Sequence, residues 1–168
     1  MAMMRPDPVA ALRATATAVA AADQPTTFFA ALQGAMAEAI GHRLFTVMRH
    51  DPDAGRNRRV HSSDPAAYPT SGFKPVDWNH PWARRLLMKG QPWIGFDAAD
   101  IAWAFPDHEK IAGMGLASAM NLPVRWNGRT LGTVNLLHEA GHFSEVDAAL
   151  GSVFAALAVP ALMAVDVA

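Results

Sequence analysis

The densest group of chemically active side chains in the sequence is Asp107, His108 and Glu109, three titratable residues in a row. Together they could form a catalytic or metal-binding site. If they enter a helix, however, neighbouring side chains project about 100° apart and cannot all converge on one substrate. The sequence therefore predicts that Asp107 caps a short helix and that Glu109 interacts favourably with its dipole. His108 stays a candidate ligand-binding residue.

The histidines do not complete a catalytic or metal site. Their spacing lacks a metal-binding pattern such as H-x-x-x-H, so no metal ion is predicted and the cofactor is unidentified. Catalysis needs a base, a nucleophile or metal, and an orienting group. A serine, a histidine and Asp97 could be combined into such a set, but no G-x-S-x-G motif supports it. A small enzyme that uses His61 or His108 as its acid–base residue is therefore an alternative interpretation.

Aromatic side chains are concentrated in one segment, where Trp78, Trp82, Trp93 and Trp103 fall within 26 residues. Tyr68 lies in the proline-rich loop that precedes this segment. These residues could line a pocket for an apolar or planar ligand. Alternatively, these large side chains could simply pack within a covering segment that lacks regular structure and binds no ligand. Both interpretations are open at this point.

The composition excludes several classes of protein. The net charge is −1 and charged residues make up 17% of the chain, which gives no basic field for nucleic acid. There is no cysteine, so disulfides, thiolate catalysis and thioether-linked cofactors are excluded. No run of about 18 apolar residues predicts a membrane span. We therefore expect a cytoplasmic protein with neither a nucleic-acid nor a membrane partner.

Hydrophobic periodicity and turn residues predict the order of the elements. Two helices, over about 8–22 and 26–40, precede a hairpin. Residues 65–81 contain four prolines and a glycine and are predicted to be a loop. Short helices, a short strand and a second hairpin follow, and a last helix begins at a capping box of Ser144 and Asp147. This order predicts an α+β fold, an antiparallel sheet with helices packed on one face.

The second hairpin carries polar residues whose orientation depends on its turn. Asn127-Gly128 between two apolar runs is a strong signal for a tight turn. With a two-residue turn, Asn121 and Asn135 project to opposite faces of the sheet. With a three-residue turn and a glycine bulge, Asn121, Thr133 and Asn135 share one face. Buried on that face, the amides could bind either a ligand or the backbone of a loop.

This hairpin and the last helix resemble the GAF domain family. Three patterns carry the resemblance: a strand with a serine and a Pro-aliphatic pair, a strand with a glycine among alternating aliphatic residues, and a helix that begins with Phe-Ser. In this sequence they are Ser118, Pro123 and Val124; Leu131, Gly132, Val134 and Leu136; and Phe143, Ser144, Asp147 and Leu150. The patterns are more specific for a fold than for a ligand.

The resemblance implies a central antiparallel sheet of five or six strands, with N- and C-terminal helices on one face and a loop-enclosed pocket on the other. It also implies one domain over residues 1–168, whose N-terminal helix, within 1–24, contributes with the last helix to a homodimer. Ligands in the family include cyclic nucleotides, bilins, haem, 2-oxoglutarate and free methionine sulfoxide. Because cysteine is absent, neither a thioether-linked bilin nor thiol-based sulfoxide reduction is expected here.

We therefore expect a stand-alone, dimeric sensor or regulatory domain that binds a small organic molecule. Resemblance to pocket positions of the family favours the shared face of the hairpin amides, and it also favours His61 on the second strand. A small enzyme and a ligand-free protein-interaction module are the alternatives. The candidate ligand-binding residues are His61, Tyr68, Trp78, Trp93, Asp97, Trp103, His108, Asn121, Thr133 and Asn135.

Overall fold

An antiparallel sheet of six strands forms the centre of the computed structural model, which describes residues 7–167. The strands are β1 Leu44–Asp51, β2 Arg56–Ser62, β3 Phe73–Pro75, β4 Trp93–Gly95, β5 Ser118–Trp126 and β6 Arg129–His138. They lie in the order β3-β2-β1-β6-β5-β4. The two long hairpins therefore meet at the β1–β6 pair, and the predicted sheet of five or six strands is confirmed.

Helices complete the α+β fold. They are α1 Pro8–Val19, α2 Thr26–Ala39, α3 Pro81–Ala83, α4 Ala98–Ala104, α5 His108–Gly113, α6 Glu145–Leu157 and α7 Val159–Met163. The short α3 continues directly as a π-helix over Arg84–Met88. Within residues 7–167, no helix combines the length and the apolar character needed to cross a membrane.

The predicted capping box at the last helix is confirmed. The Ser144 hydroxyl accepts a hydrogen bond from the backbone N–H of Asp147, and the Asp147 carboxylate accepts one from the N–H of Ser144. Gly41 ends the second helix as predicted, since its φ of 91° is favourable for glycine.

The first helix ends earlier than predicted, at Val19 rather than near residue 22. The Gln24 side chain donates hydrogen bonds to the carbonyl groups of Ala18, at 2.7 Å, and of Ala21, at 3.1 Å. Asp23 has a φ of 58°, which no helix continues through. The Gln24 side chain therefore satisfies the Ala18 carbonyl, which another helical turn would have used.

The segment predicted to be a loop over 65–81 contains a strand, β3. Phe73 pairs with Arg58 and Pro75 pairs with Arg56, so the segment covers the outer edge of β2. The Arg56 guanidinium also lies 3.8 Å from the centre of the Phe73 ring. Three residues are too few to show a period-2 pattern, which is why composition alone indicated a loop.

One face of the sheet, here called the helix face, shares a hydrophobic core with α1, α2, α6 and α7, in which α1 packs on α2 and α6. Phe28, Leu32 and Met36 of α2 and Phe154 of α6 are at most 1% exposed. Gly151 lets α6 approach the sheet, because a Cβ there would lie 2.7 Å from the Leu122 side chain. This side of the sheet is a closed apolar core.

Candidate functional site

The opposite face of the sheet, here called the loop face, is covered by α3–α5 and by the loop that follows β2. It has its own smaller hydrophobic cluster. Tyr68 comes from the loop, Ile101 and Ile111 come from α4 and α5, and Ala119 and Leu137 come from the sheet. The side chains that could do chemistry are concentrated on this face.

The register of the β5–β6 hairpin places three polar side chains on the loop face. The turn at Asn127-Gly128 has two residues, but a bulge next to Arg125 shifts the pairing, so that Asn121 lies opposite Asn135 and Pro123 opposite Thr133. Asn121, Thr133 and Asn135 therefore share one face. The cause is a two-residue turn combined with a bulge, an arrangement that neither of the two predicted registers included. The bulge restores the alignment that a two-residue turn alone would have lost.

These side chains form a buried hydrogen-bonded row, here called the amide row, together with Thr46 of β1. The Asn121 amide donates to Asn135 Oδ1 at 2.8 Å, and the Asn135 amide donates to the hydroxyls of Thr133, at 3.1 Å, and Thr46, at 3.3 Å. All four residues are less than 9% exposed. Buried amides require such partners, and here the sheet itself supplies most of them.

One hydrogen bond connects the amide row to the cover. The Trp82 indole, at the start of α3, donates to Asn121 Oδ1 at 3.0 Å. The Trp82 ring also meets the Phe105 ring edge-on, with centroids 5.6 Å apart. The cover therefore contributes both an apolar surface and a polar contact to the floor formed by the sheet.

Further aromatic rings extend this cover; together with Trp82 we call them the aromatic cover. Trp93, which β4 places opposite Asn121, lies edge-on to Phe105 at 5.7 Å and stacks on Trp103 at 6.1 Å. Trp93 is buried, whereas Trp103 is 50% exposed. The cover thus continues from the buried floor to the surface.

Charged groups surround Tyr68 beside the aromatic cover. The Tyr68 hydroxyl donates to Asp107 Oδ2 at 2.9 Å, and Lys74 lies 3.7 Å from the same carboxylate oxygen. The Lys110 ammonium is 4.3 Å and the Arg59 guanidinium 4.9 Å from the centre of the Tyr68 ring. Burial, with the Asp107 carboxylate as a further cause, raises the pKa of Tyr68, so the phenol stays a hydrogen-bond donor.

The prediction that Asp107 caps α5 is wrong in one respect. Asp107 occupies the N-cap position, but its side chain makes no capping hydrogen bond. The carboxylate instead accepts from Tyr68, which lies 39 residues earlier in the chain. A long-range partner displaced the local one, while Glu109 does lie in the first turn as predicted.

Four of the predicted residues lie apart from the amide row. His61 points to the helix face, where its Nε2 is 2.7 Å from Gln33 Oε1 and where burial lowers its pKa. Asp97 caps α4 by accepting from the N–H groups of residues 99 and 100. Trp78 contacts the His50 ring. His108 is half-buried at the start of α5.

The structure brings together Tyr68, Trp93, Trp103, Asn121, Thr133 and Asn135, and adds residues that the sequence did not single out as ligand-binding. Thr46 could have been found from its period-2 position relative to Leu44 on β1. The position of Arg59 was hidden by the bulge between β1 and β2. Trp82 was one of four clustered tryptophans, and only the fold shows that it reaches the floor.

Two cavities that the structure forms lie away from the amide row. The larger, about 220 Å³, is at the edge between β4 and α6 and is lined by Arg85, Ile94, Glu145 and small residues. The smaller, about 70 Å³, is beside α2 and α7. Arg85 already donates to the Pro92 carbonyl at 2.7 Å. The amide row and the aromatic cover, in contrast, bring polar and aromatic groups together on one face.

These features define an α+β domain whose sheet is covered by packed helices on one face and by aromatic loops on the other. The chain belongs to the GAF domain family, whose model matches residues 9–162. The predicted resemblance is therefore confirmed. A comparison with curated proteins gave no match.

Solved structures agree with this assignment. The GAF domain of a phosphoenolpyruvate-protein phosphotransferase (ptsP) from Coxiella burnetii is 14% identical, with a TM-score of 0.73, covering 93% of this chain and 92% of that one. The corresponding Acinetobacter GAF domain is 12% identical, with a TM-score of 0.71 and coverage of 98% and 100%. Free methionine-R-sulfoxide reductase from Neisseria meningitidis, solved with its substrate, is 19% identical, with a TM-score of 0.67 and coverage of 93% and 88%.

Proposed function

We propose that the protein is a sensor or regulatory domain that binds a small, planar organic molecule between the amide row and the aromatic cover. The hydrogen bond from the Trp82 indole to Asn121 Oδ1 carries this proposal. It is a contact between the cover and the sheet that a ligand with its own donor could replace. The surrounding rings would then stack on the ligand, as aromatic side chains do in small-molecule sites.

The similarity to known proteins supports a binding function of this general kind. The GAF family consists largely of sensory and regulatory domains that bind small molecules. The Neisseria meningitidis reductase was solved with its substrate, so the shared fold accommodates a small molecule. This chain has no cysteine, which separates it from thiol-based reduction.

A ligand screen tests the proposal. Thermal shifts should be measured with a metabolite collection, because a ligand that binds only the folded state raises the melting temperature by an amount that grows with its concentration relative to its Kd. Native mass spectrometry of the purified protein would show a ligand that is retained. We expect a planar compound among the hits.

Two variants show where on the protein the screened ligands bind. Asn121→Leu keeps the size of the side chain but removes its hydrogen bonds, and should weaken binding about tenfold. Trp126→Phe is the matched control, since Trp126 is 56% exposed next to the hairpin turn. Hits that bind both variants as well as the wild type would place the ligand elsewhere.

We also propose that a second copy of this chain packs against the outer surface of α6 and α7. Val146 is 72% exposed, Val153 is 51% exposed and Met163 is 56% exposed. Val146, Ala149 and Val153 follow helical spacing, so they form a continuous apolar stripe that a symmetric partner would cover. A monomer in analytical ultracentrifugation at tens of micromolar would contradict a dimer. Val153→Glu should dissociate the dimer.

The alternative function, an enzyme with an acid–base histidine, has less support. His61 lies on the helix face and shares a hydrogen bond with Gln33, on the side of the sheet away from the amide row. Turnover of a screened ligand that disappears in the double variant His61→Ala and His108→Ala, while binding persists, would restore this alternative. A ligand-free interaction module would give no hits in the same screen.

A further inference from the structure

Arg59 is a charged residue that the fold brings to the loop face. It is paired with Met48 of β1, and Met48 is paired on its other side with Thr133 of the amide row. Arg59 Nη1 donates to the Pro69 carbonyl at 3.0 Å. The guanidinium is therefore held against the loop that carries Tyr68.

The Nε of Arg59 is buried and has no hydrogen-bond partner within residues 7–167. Two arginines elsewhere in the chain contrast with it, because Arg49 Nε donates to the Val165 carbonyl at 3.3 Å and Arg56 Nε donates to Asp51 at 3.3 Å. A buried donor on a charged group is unfavourable without an acceptor. The side chain is thus held in place with part of its hydrogen-bonding capacity unused.

The neighbouring carboxylate, that of Asp107, does not accept the hydrogen bond that Arg59 Nε could donate. Asp107 accepts from Tyr68 and lies near Lys74 rather than bonding Arg59. Arg59 and Lys110 both face the Tyr68 ring, so cations outnumber carboxylates in this cluster. A carboxylate that approached Arg59 would meet a planar fork of donors in a positive surrounding.

We infer that the loop face binds a planar organic carboxylate, with its anionic group on Arg59 and its ring over Thr133 and the rest of the amide row. The inference rests on the proposed function and specifies the class of ligand. Two strand spacings separate β2 from β6, which is about 10 Å and matches the length of a two-ring aromatic acid. Met48 lies between the two ends, and its flexible thioether can adapt to a ring.

Matched probes test the inference. Naphthoate and quinaldate are two-ring carboxylates, and naphthamide and quinaldamide are their neutral counterparts. Each would be titrated by isothermal calorimetry against the full chain. We expect both carboxylates to bind at least tenfold more tightly than their amides, because only they engage the Arg59 guanidinium.

The variants compare two neighbouring arginines on opposite faces of one strand. Arg59→Gln should reduce the preference for carboxylate over amide to less than threefold. Arg58→Gln, the matched control, should retain it, since Arg58 reaches the helix side and donates to the Asp166 carbonyl at 3.1 Å. Arg59→Lys keeps the charge without the planar fork and should give an intermediate preference. Circular dichroism would verify that each variant folds.

The outcomes separate this inference from the proposed function. If carboxylates and amides bind equally well and Asn121→Leu weakens both, the ligand site stands and the role of Arg59 is overturned. If none of the four probes binds at millimolar concentration, the inference is overturned, whereas the proposed function falls only if the metabolite screen gives no planar hit. If Arg58→Gln abolishes the preference as fully as Arg59→Gln, general charge rather than the Arg59 site is responsible, and the inference is overturned.

Discussion

The two faces of one sheet use the same strands for different purposes. On the helix face, Phe45 and Val47 of β1 pack against helices in an apolar core. On the loop face, the alternate residue Thr46 joins a buried polar row under aromatic rings. Apolar burial stabilises a fold, whereas a buried polar row contributes little net stability and is sensitive to any missing partner. The contrast indicates that the helix face maintains the domain, and it supports the proposal that the loop face binds a ligand.

The largest expected effect comes from truncating the helix-face core. Phe154→Ala should lower the free energy of unfolding by about 3–5 kcal/mol, because the ring is fully buried. Trp103→Ala on the loop face removes a ring that is 50% exposed and should cost under about 1 kcal/mol. Urea denaturation followed by circular dichroism measures both. Equal losses would remove the proposed difference between the two faces.

The next effect concerns the amide row. Asn135→Leu should cost about 1–3 kcal/mol, because it leaves the Asn121 amide donor buried without its acceptor. Replacing both asparagines by leucine should recover part of that loss, since two apolar groups need no partners, although the Trp82 indole then also loses its acceptor. A double-mutant cycle, with unfolding free energies measured in urea, gives the coupling free energy between the two asparagine side chains. Additive losses in the double variant would show that the two amides act independently.

A smaller effect is expected from pH. Burial lowers the pKa of His61 in the folded state, so the unfolded chain binds a proton more readily. Stability should therefore fall as the pH drops below about 6.5, the ordinary histidine value, and be regained above it. His61→Gln should make the unfolding free energy less steep between pH 7 and pH 5, by at most about 1.4 kcal/mol per pH unit. An unchanged slope would mean that other groups control it.

The smallest effect is expected at the contact between cover and sheet. Trp82→Phe keeps a ring but removes the donor to Asn121, and should cost about 1 kcal/mol. Acrylamide should then quench the fluorescence of the remaining tryptophans more effectively, because the cover opens more often. Quenching identical to that of the wild type would show that this hydrogen bond does not hold the cover closed.

Much of the fold could be predicted because its signals are local. The Asn127-Gly128 turn, the Ser144–Asp147 capping box and the helical spacing in α2 each lie within a few residues of one another. The three-residue strand β3 was missed because its assignment depends on pairing with β2.

The candidate site was harder to predict because distant residues create it. The register that aligns Asn121 with Asn135 depends on a bulge that leaves no clear trace in the sequence. The partner of Asp107 is Tyr68, from a different loop. His61 is on the predicted strand, but the pairing with β1 directs it to the helix face. Residue type therefore identified candidates, and long-range pairing decided which of them meet.

Side-chain NMR during titration with a bound ligand tests the central claim most directly. Asn121, Asn135 and Trp82 each carry an N–H group that reports on the space between the amide row and the aromatic cover. We predict that these three signals shift together on binding, while the backbone amides of the helix face, such as that of Phe154, do not. Shifts confined to the helix face or to the cavity beside α6, with the three side chains unaffected, would contradict the account.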